Sequence, residues 1–288
     1  MTTTQGTLPF HLILAARDVR GGVGDPTRRT PYILNEIDQG TYGVNDSDQW
    51  GNSLLIACAI GEQLHSGNLL YKIWPQHVVL ARALLDRGAD VNHRTAISWT
   101  GLAPNASTAL AVAAAGGGLA SPDLVQLLLD AGADINATNA YGTPLAMAIH
   151  GFGDVPDDPP RHNACRKIVH MLLRAGAQIG TEAIDEAFEQ TEGRCFRGEI
   201  GLGSPRVFQC SAESHAHYTA AKEMILGVRA AGSWRAYAKL PRKQVLTLRS
   251  LALRGRAKPR DPRMTFLVDS PNEIAWKILE YWRTELDC

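Results

Sequence analysis

Four residues in this chain could together bind a metal: Cys195, Cys210, His215 and His217. Two thiolates and two imidazoles would make a tetrahedral zinc set. The spacing works against it. There is no C-x-x-C pair, and His215 and His217 stand two positions apart, which on a helix turns them to different faces. The competing reading is unrelated packing residues, and no metal is assigned. Gly116-Gly117-Gly118 could cradle a phosphate, but no Gly-Lys-Ser/Thr follows and no strand precedes it. HExxH, GxSxG, Walker and dinucleotide fingerprints are missing. No catalytic residue and no cofactor is assigned, so the chain is expected not to be an enzyme and to take no small-molecule substrate.

The elements that would position any such group follow an internal repeat. LLDRGADVN at Leu84–Asn92, LLLDAGADIN at Leu127–Asn136 and LLRAGAQIG at Leu172–Gly180 end in the same way. Their glycines, Gly88, Gly132 and Gly176, are spaced 44 residues apart each time (132 − 88 and 176 − 132). A fixed period of that size marks a stacked repeat protein. Each glycine follows an apolar helical run, where the chain needs the left-handed conformation. Thr108 and Thr143 are placed to cap helix N-termini, and Pro144 fits a first helical turn. Asp90 and Asp134 sit in the turns and are expected to brace them.

The residues Gly142-Thr143-Pro144-Leu145, Gly132-Ala133-Asp134-Ile135-Asn136 and Gly88-Ala89-Asp90-Val91-Asn92 resemble the ankyrin-repeat family. The resemblance implies an all-α solenoid of stacked helix pairs, joined by hairpin-like fingers and closed by C-terminal capping helices. The family's period is about 33 residues, so these repeats are stretched by inserts at 62–75, 94–106 and 154–163. The family's helix-start histidine is replaced by Ile56, Ala111 and Ala146. About five repeats are expected over residues 1–234, the first and last degenerate, with a basic helical cap over 235–288. Leu69-Leu70-Tyr71-Lys72-Ile73-Trp74 is apolar for a loop: it either folds back and buries itself or forms a docking patch.

Bulk properties select no partner class. The 288 residues carry 29 Lys and Arg against 29 Asp and Glu, for zero net charge. Five scattered cysteines, an odd number, argue against a disulfide framework and for a reducing compartment. The first residues lack the basic start of a signal peptide, and no apolar run reaches the length of a membrane span. A cytoplasmic or nuclear protein, not a secreted one, is expected, with no membrane partner. The sequons at Asn45, Asn105 and Asn136 are then chance occurrences.

Two C-terminal stretches stand apart. From Arg229 to Arg263 there are 11 cations and one acid, Asp261, a balance of +10. A helix is expected over Pro241–Ala257, with Val245, Leu248, Leu251 and Ala252 on its apolar side. The basic side reads either as a solvated capping face or as a site for nucleic acid or an acidic partner. The absence of accompanying stacking aromatics holds the nucleic-acid reading down. Then SPNEIAWKILEYWRTE, Ser270–Glu285, opens with Ser270 as N-cap and Glu273 completing a capping box. It resembles the first helix of an F-box, which implies a ubiquitin-ligase substrate adaptor; a plain capping helix is the alternative.

The resemblance to ankyrin repeats implies a non-catalytic adaptor or scaffold that binds a protein partner on a groove of fingers and inner helices. The fingers run over 45–52, 92–107 and 136–143. Trp50, Arg94, Trp99, Asn139 and Tyr141 are the expected contacts, because Trp, Tyr and Arg dominate binding hot spots.

Overall fold

The computed structural model describes residues 7–8, 13, 15–16, 29–63, 71–96, 106–115, 118–119, 121–153, 157–195, 210–258, 260 and 262–281. It divides into two compact units, Met1–Ile225 and Leu226–Cys288.

The first unit is built from helices in two rows. The inner row is α2 (Leu54–Ile60), α4 (Ala109–Ala115), α6 (Pro144–His150) and α8 (Glu182–Cys195). The outer row is α1 (Arg29–Asp38), α3 (Pro75–Asp86), α5 (Pro122–Asp130) and α7 (Pro159–Ala175). Each inner helix packs on the next inner helix, and each outer helix on the next outer one. Across the rows, α2 packs on α3, α4 on α5 and α6 on α7. This is the stacked helix-pair solenoid that the 44-residue spacing predicts, because each pair can bury its apolar face only against its neighbours.

Local sequence sets the ends of these helices. Ser53, Thr108 and Thr143 cap the inner helices, their hydroxyls accepting from the Ile56, Ala111 and Ala146 amides at 3.4, 3.3 and 3.4 Å. Ser121 and Asp158 do the same for α5 and α7. The three periodic glycines leave the outer helices at φ +84°, +83° and +101°, where an L side chain is strained. At Gly88, Gly132 and Gly176 no atom lies within 4 Å of an added Cβ, so it is the backbone angle that requires glycine there.

The inner helices α2, α4 and α6 consist almost wholly of small and apolar residues. Every residue of α2, α4 and α6 is buried. A helix that is apolar all round can only be stable when covered all round. Ile56, Ala111 and Ala146, at the places of the missing histidine, are at most 1% exposed. The substitution keeps a hydrocarbon where a polar ring would need a partner.

The inserts do more than loop out. Glu62–Gln63 (β1) pairs antiparallel with Tyr71–Lys72 (β2), and β2 pairs in parallel with Gly118–Leu119 (β3). Trp74 Nε1 donates to Glu62 Oε2 at 2.6 Å, closing the base of the β1–β2 insert. The apolar stretch before α3 thus folds back on its own repeat as far as it is described; Leu69 and Leu70 lie outside the described residues. In the insert of the fourth repeat Arg161 and His162 are only 2% exposed, inside the first turn of α7.

In the fifth repeat α8 meets α9 (Ala212–Ala231) through side chains, Tyr218 lying edge-on to Phe188 and its hydroxyl donating to Glu192 Oε1 at 3.0 Å. Ile184, Ala187 and Phe188 are buried on α8. On α9 the buried set is Ser214, Tyr218, Ala221, Met224, Ile225 and Val228, whereas Ala216 is exposed. The large Tyr218 ring stacks edge-on with Phe152 and Phe188.

In the second unit, α10 (Trp234–Leu253), α11 (Pro262–Asp269) and α12 (Asn272–Tyr281) follow α9. Helix α10 begins seven residues before the expected Pro241, which lies inside it. Proline forfeits one backbone hydrogen bond there but does not end the helix, and Ser233 caps the true start through Ala236 N at 3.2 Å. Val245, Leu267 and Ala275 form a small core, with Leu246 and Ile278 packed against it. The buried Arg249 donates through Nη2 to the Ser270 carbonyl. The expected capping box at Ser270 is not what its hydroxyl makes: it donates back to the Phe266 carbonyl at 2.7 Å, closing α11.

Candidate functional site

The fingers are fixed by short polar side chains that fold back on their own backbone. In the first finger Asp48 Oδ1 accepts from the Trp50 and Asn52 amides at 2.9 and 2.8 Å. In the second, Thr95 N donates to Ser107 O and Ala106 N to Thr95 O, each at 3.0 Å, and Thr95 Oγ1 accepts from Ser107 N at 3.0 Å. In the third, Asn139 Oδ1 accepts from Tyr141 N at 2.8 Å and Asn139 bonds Gly142 through the backbone in both directions. One oxygen-bearing side chain therefore organises each tip.

Neighbouring fingers are also tied together. Ala96 N donates to Trp50 O at 3.0 Å, Arg94 Nη1 to Thr138 O at 2.9 Å, and Asn139 Nδ2 to Ser107 Oγ at 3.0 Å. Gly51 sits at φ +81°, and a Cβ there would stand 2.5 Å from Ala96 N, so the close approach of the first two fingers requires glycine.

Below the tips runs an asparagine ladder. Asn45 Oδ1 accepts from Asp90 N at 2.6 Å and its Nδ2 donates to Gly88 O at 3.1 Å. Asn92 repeats both bonds one repeat on, with Asp134 N at 2.7 Å and Gly132 O at 3.5 Å. Asn136 accepts from Gln178 N at 2.9 Å. Asp90 and Asp134 brace their own turns as expected, accepting from Asn92 N and Asn136 N at 2.9 Å each. The ladder was the signal that sequence reasoning missed. The asparagines stand in register in the motif, but their reach into the next repeat shows only in three dimensions.

The expected contact residues fall on this frame as follows. Arg94 is exposed, with one guanidinium nitrogen spent on the third finger. Tyr141 is 57% exposed and meets His150 edge-on at 6.4 Å. Trp50 is half-buried in the first tip, and Asn139 is half-buried as the organiser of the third. Trp99 lies outside the described residues. The structure brings Arg94 and Asn139 together across adjacent fingers. Of the inner helices, α2, α4 and α6 are buried throughout, whereas α8 exposes Glu182, Asp185, Glu186, Glu189 and Gln190.

The sulfur and imidazole groups separate. Among the described residues no group of three or more His, Cys, Asp or Glu is placed to hold a metal; the Cys195 side chain lies outside them. Cys210 neighbours His162 instead. The two ring nitrogens of His162 face the Asp158 and Phe152 carbonyls at 2.8 and 3.1 Å. Burial alone would lower its pKa, but hydrogen bonding to Cys210 and to those carbonyls carries it above the ordinary histidine value. Nearby, Ser211 and Ser214 donate to Asp157 Oδ1 at 2.8 and 2.5 Å, which lowers the Asp157 pKa and fastens the start of α9 to the fourth insert. Cys58 is fully buried, and desolvation pushes its thiol far up, so it is inert.

Comparison with known proteins adds one match. Residues 105–140 match the family model described as Ankyrin repeat. No curated protein matches the chain. Among the described residues no helix is long and apolar enough to cross a membrane. The matched segment holds α4, α5, the second ladder asparagine's partners and the start of the third finger. Ankyrin repeats are protein–protein interaction modules. Residues 105–140 thus match one ankyrin repeat, and similar helix pairs are stacked on either side of it.

Proposed function

We propose that the chain is a non-catalytic adaptor that holds one protein partner on its finger tips, with Trp50, Arg94, Trp99, Asn139 and Tyr141 as the contact set. The observation that carries this is the pairing of exposed Arg94 and Tyr141 with fingers braced by Asp48, Thr95 and Asn139. An aromatic and a guanidinium held on a preorganised backbone lose little entropy on binding. The inner helices α2, α4 and α6 are covered, which favours the tips beside them as the surface offered. The cytoplasm or nucleus is part of the same proposal, supported by Cys58 and Cys165 held as buried free thiols.

The test measures partner affinity and thermal stability together for Tyr141→Ala, Arg94→Ala and Trp99→Ala. The proposal expects at least one tip variant to lose tenfold or more in affinity with an unchanged melting temperature. Unchanged affinity in all three, or losses that track melting, would overturn it.

The ligase-adaptor reading draws support from Ile274, which is 48% exposed on α12. Ala275 and Ile278 on the same helix pack into the core of their own unit, as a capping helix does. Capture of ligase subunits by the full chain, lost on truncation after Asp269, is the outcome that would favour the adaptor.

A further inference from the structure

The second unit carries a charge that the whole chain hides. Leu226–Cys288 holds 13 Lys and Arg against 6 Asp and Glu, net +7, while Met1–Ile225 holds 16 against 23, net −7. The cations are not merely scattered over α10. Trp234, Arg235, Ala238, Lys239 and Arg242 line one hollow of about 340 Å³. Residues four and seven apart share a helix face, so Arg235, Lys239 and Arg242 form a single stripe, with Trp234 and Ala238 beside it.

The helix expected over Pro241–Ala257 carries no aromatic; the structure extends it back to Trp234. Because α10 starts before Pro241, Trp234 begins the same helix as the cations and opens onto the same hollow. Its indole is backed by Tyr237, ring centroids 5.8 Å apart at 50°. Tyr237 in turn lies against Gly227 so closely that a side chain there would strike its ring. The indole is therefore supported from behind and half-exposed in front.

We infer that this hollow binds single-stranded nucleic acid, a base stacking on Trp234 while Arg235, Lys239 and Arg242 follow the phosphates. The rise of 1.5 Å per residue puts Arg235 and Lys239 about 6 Å apart along α10, close to the step between neighbouring phosphates of an extended strand. Stacking on an aromatic is sequence-tolerant, and a basic track beside it is how such strands are held. An acidic peptide such as oligoglutamate would use the cations but has no aromatic ring to stack on the indole. This site is independent of the finger surface.

The experiment titrates the full chain with fluorescently labelled U12 and dT12 oligonucleotides at 50, 100 and 200 mM salt. Three phosphate contacts predict a log–log salt slope of about −2 for a single strand. Lys239→Ala, at an exposed position, is expected to flatten that slope by about 0.7. Trp234→Ala is expected to weaken binding about tenfold with the slope unchanged; Trp234→Phe, which keeps a ring, restores most of the loss and separates stacking from misfolding. Tighter binding of U12 assigns RNA and of dT12 assigns DNA. No binding at 50 mM salt, a slope indifferent to Lys239→Ala, or equal affinity for an oligoglutamate peptide or phosphatidylserine vesicles would overturn the inference.

Discussion

The two units use helices of opposite character. In the first, α2, α4 and α6 are seven-residue helices with no exposed residue at all. In the second, α10 runs for twenty residues, and only Val245 and Arg249 of them are buried. The first design concentrates stability in a shared core and leaves the fingers to present side chains. The second exposes most of a helix and fills the exposed faces with cations. Where a helix is covered on every side, function moves to the turns; where it is covered on one side, the helix itself can be the surface.

The largest effect should come from the covered helices. Leu110 on α4 has no exposed surface, so Leu110→Ala is expected to cost about 2–5 kcal/mol, read as a fall in denaturation midpoint. Leu253 on α10 is 64% exposed, and Leu253→Ala should stay within about 0.5 kcal/mol. Equal losses at the two sites would erase the contrast.

Next comes the ladder. Asn92→Ala removes an acceptor for Asp134 N and a donor to Gly132 O. Two partly solvated hydrogen bonds predict a loss of about 1–2 kcal/mol, and hydrogen exchange should rise in the Gly132–Asn136 turn. Exchange unchanged there would show that the ladder is decoration.

A smaller effect is pH-dependent. His162 has its pKa raised above 6.5 in the folded chain. Its contribution is therefore fully present below about pH 6.5 and is lost as pH rises through the folded pKa. His162→Gln should flatten the fall in melting temperature between mildly acid and mildly alkaline buffer. A steeper fall in the variant would reverse the sign.

Short-range chemistry was legible in the sequence; long-range chemistry was not. The glycines at 88, 132 and 176, the caps at Thr108 and Thr143 and the bracing by Asp90 and Asp134 depend on neighbours a few residues away, so residue type and spacing disclosed them. The ladder spans more than 40 residues per rung, and the β1–β2–β3 pairing joins two different repeats. Neither leaves a local pattern. Pro241 suggested a helix start, because proline is at home there, whereas the structure tolerates it mid-helix and so places Trp234 beside the cations. Arg94 and Tyr141 were picked by residue type, and the structure leaves both exposed; the burial of α4 follows from ALAVAAA having no polar face.

The central claim is that recognition resides in the finger tips. It is tested most directly by placing a photo-crosslinking amino acid at Tyr141 and, separately, at Val79, which is 61% exposed on the outer helix α3. Each full-length variant is irradiated in native lysate and its adducts are identified by mass spectrometry. The account predicts one reproducible partner crosslinked from position 141 and competed away by unlabelled wild-type chain, with none from position 79. The same partner captured from position 79, with nothing from 141, would contradict it.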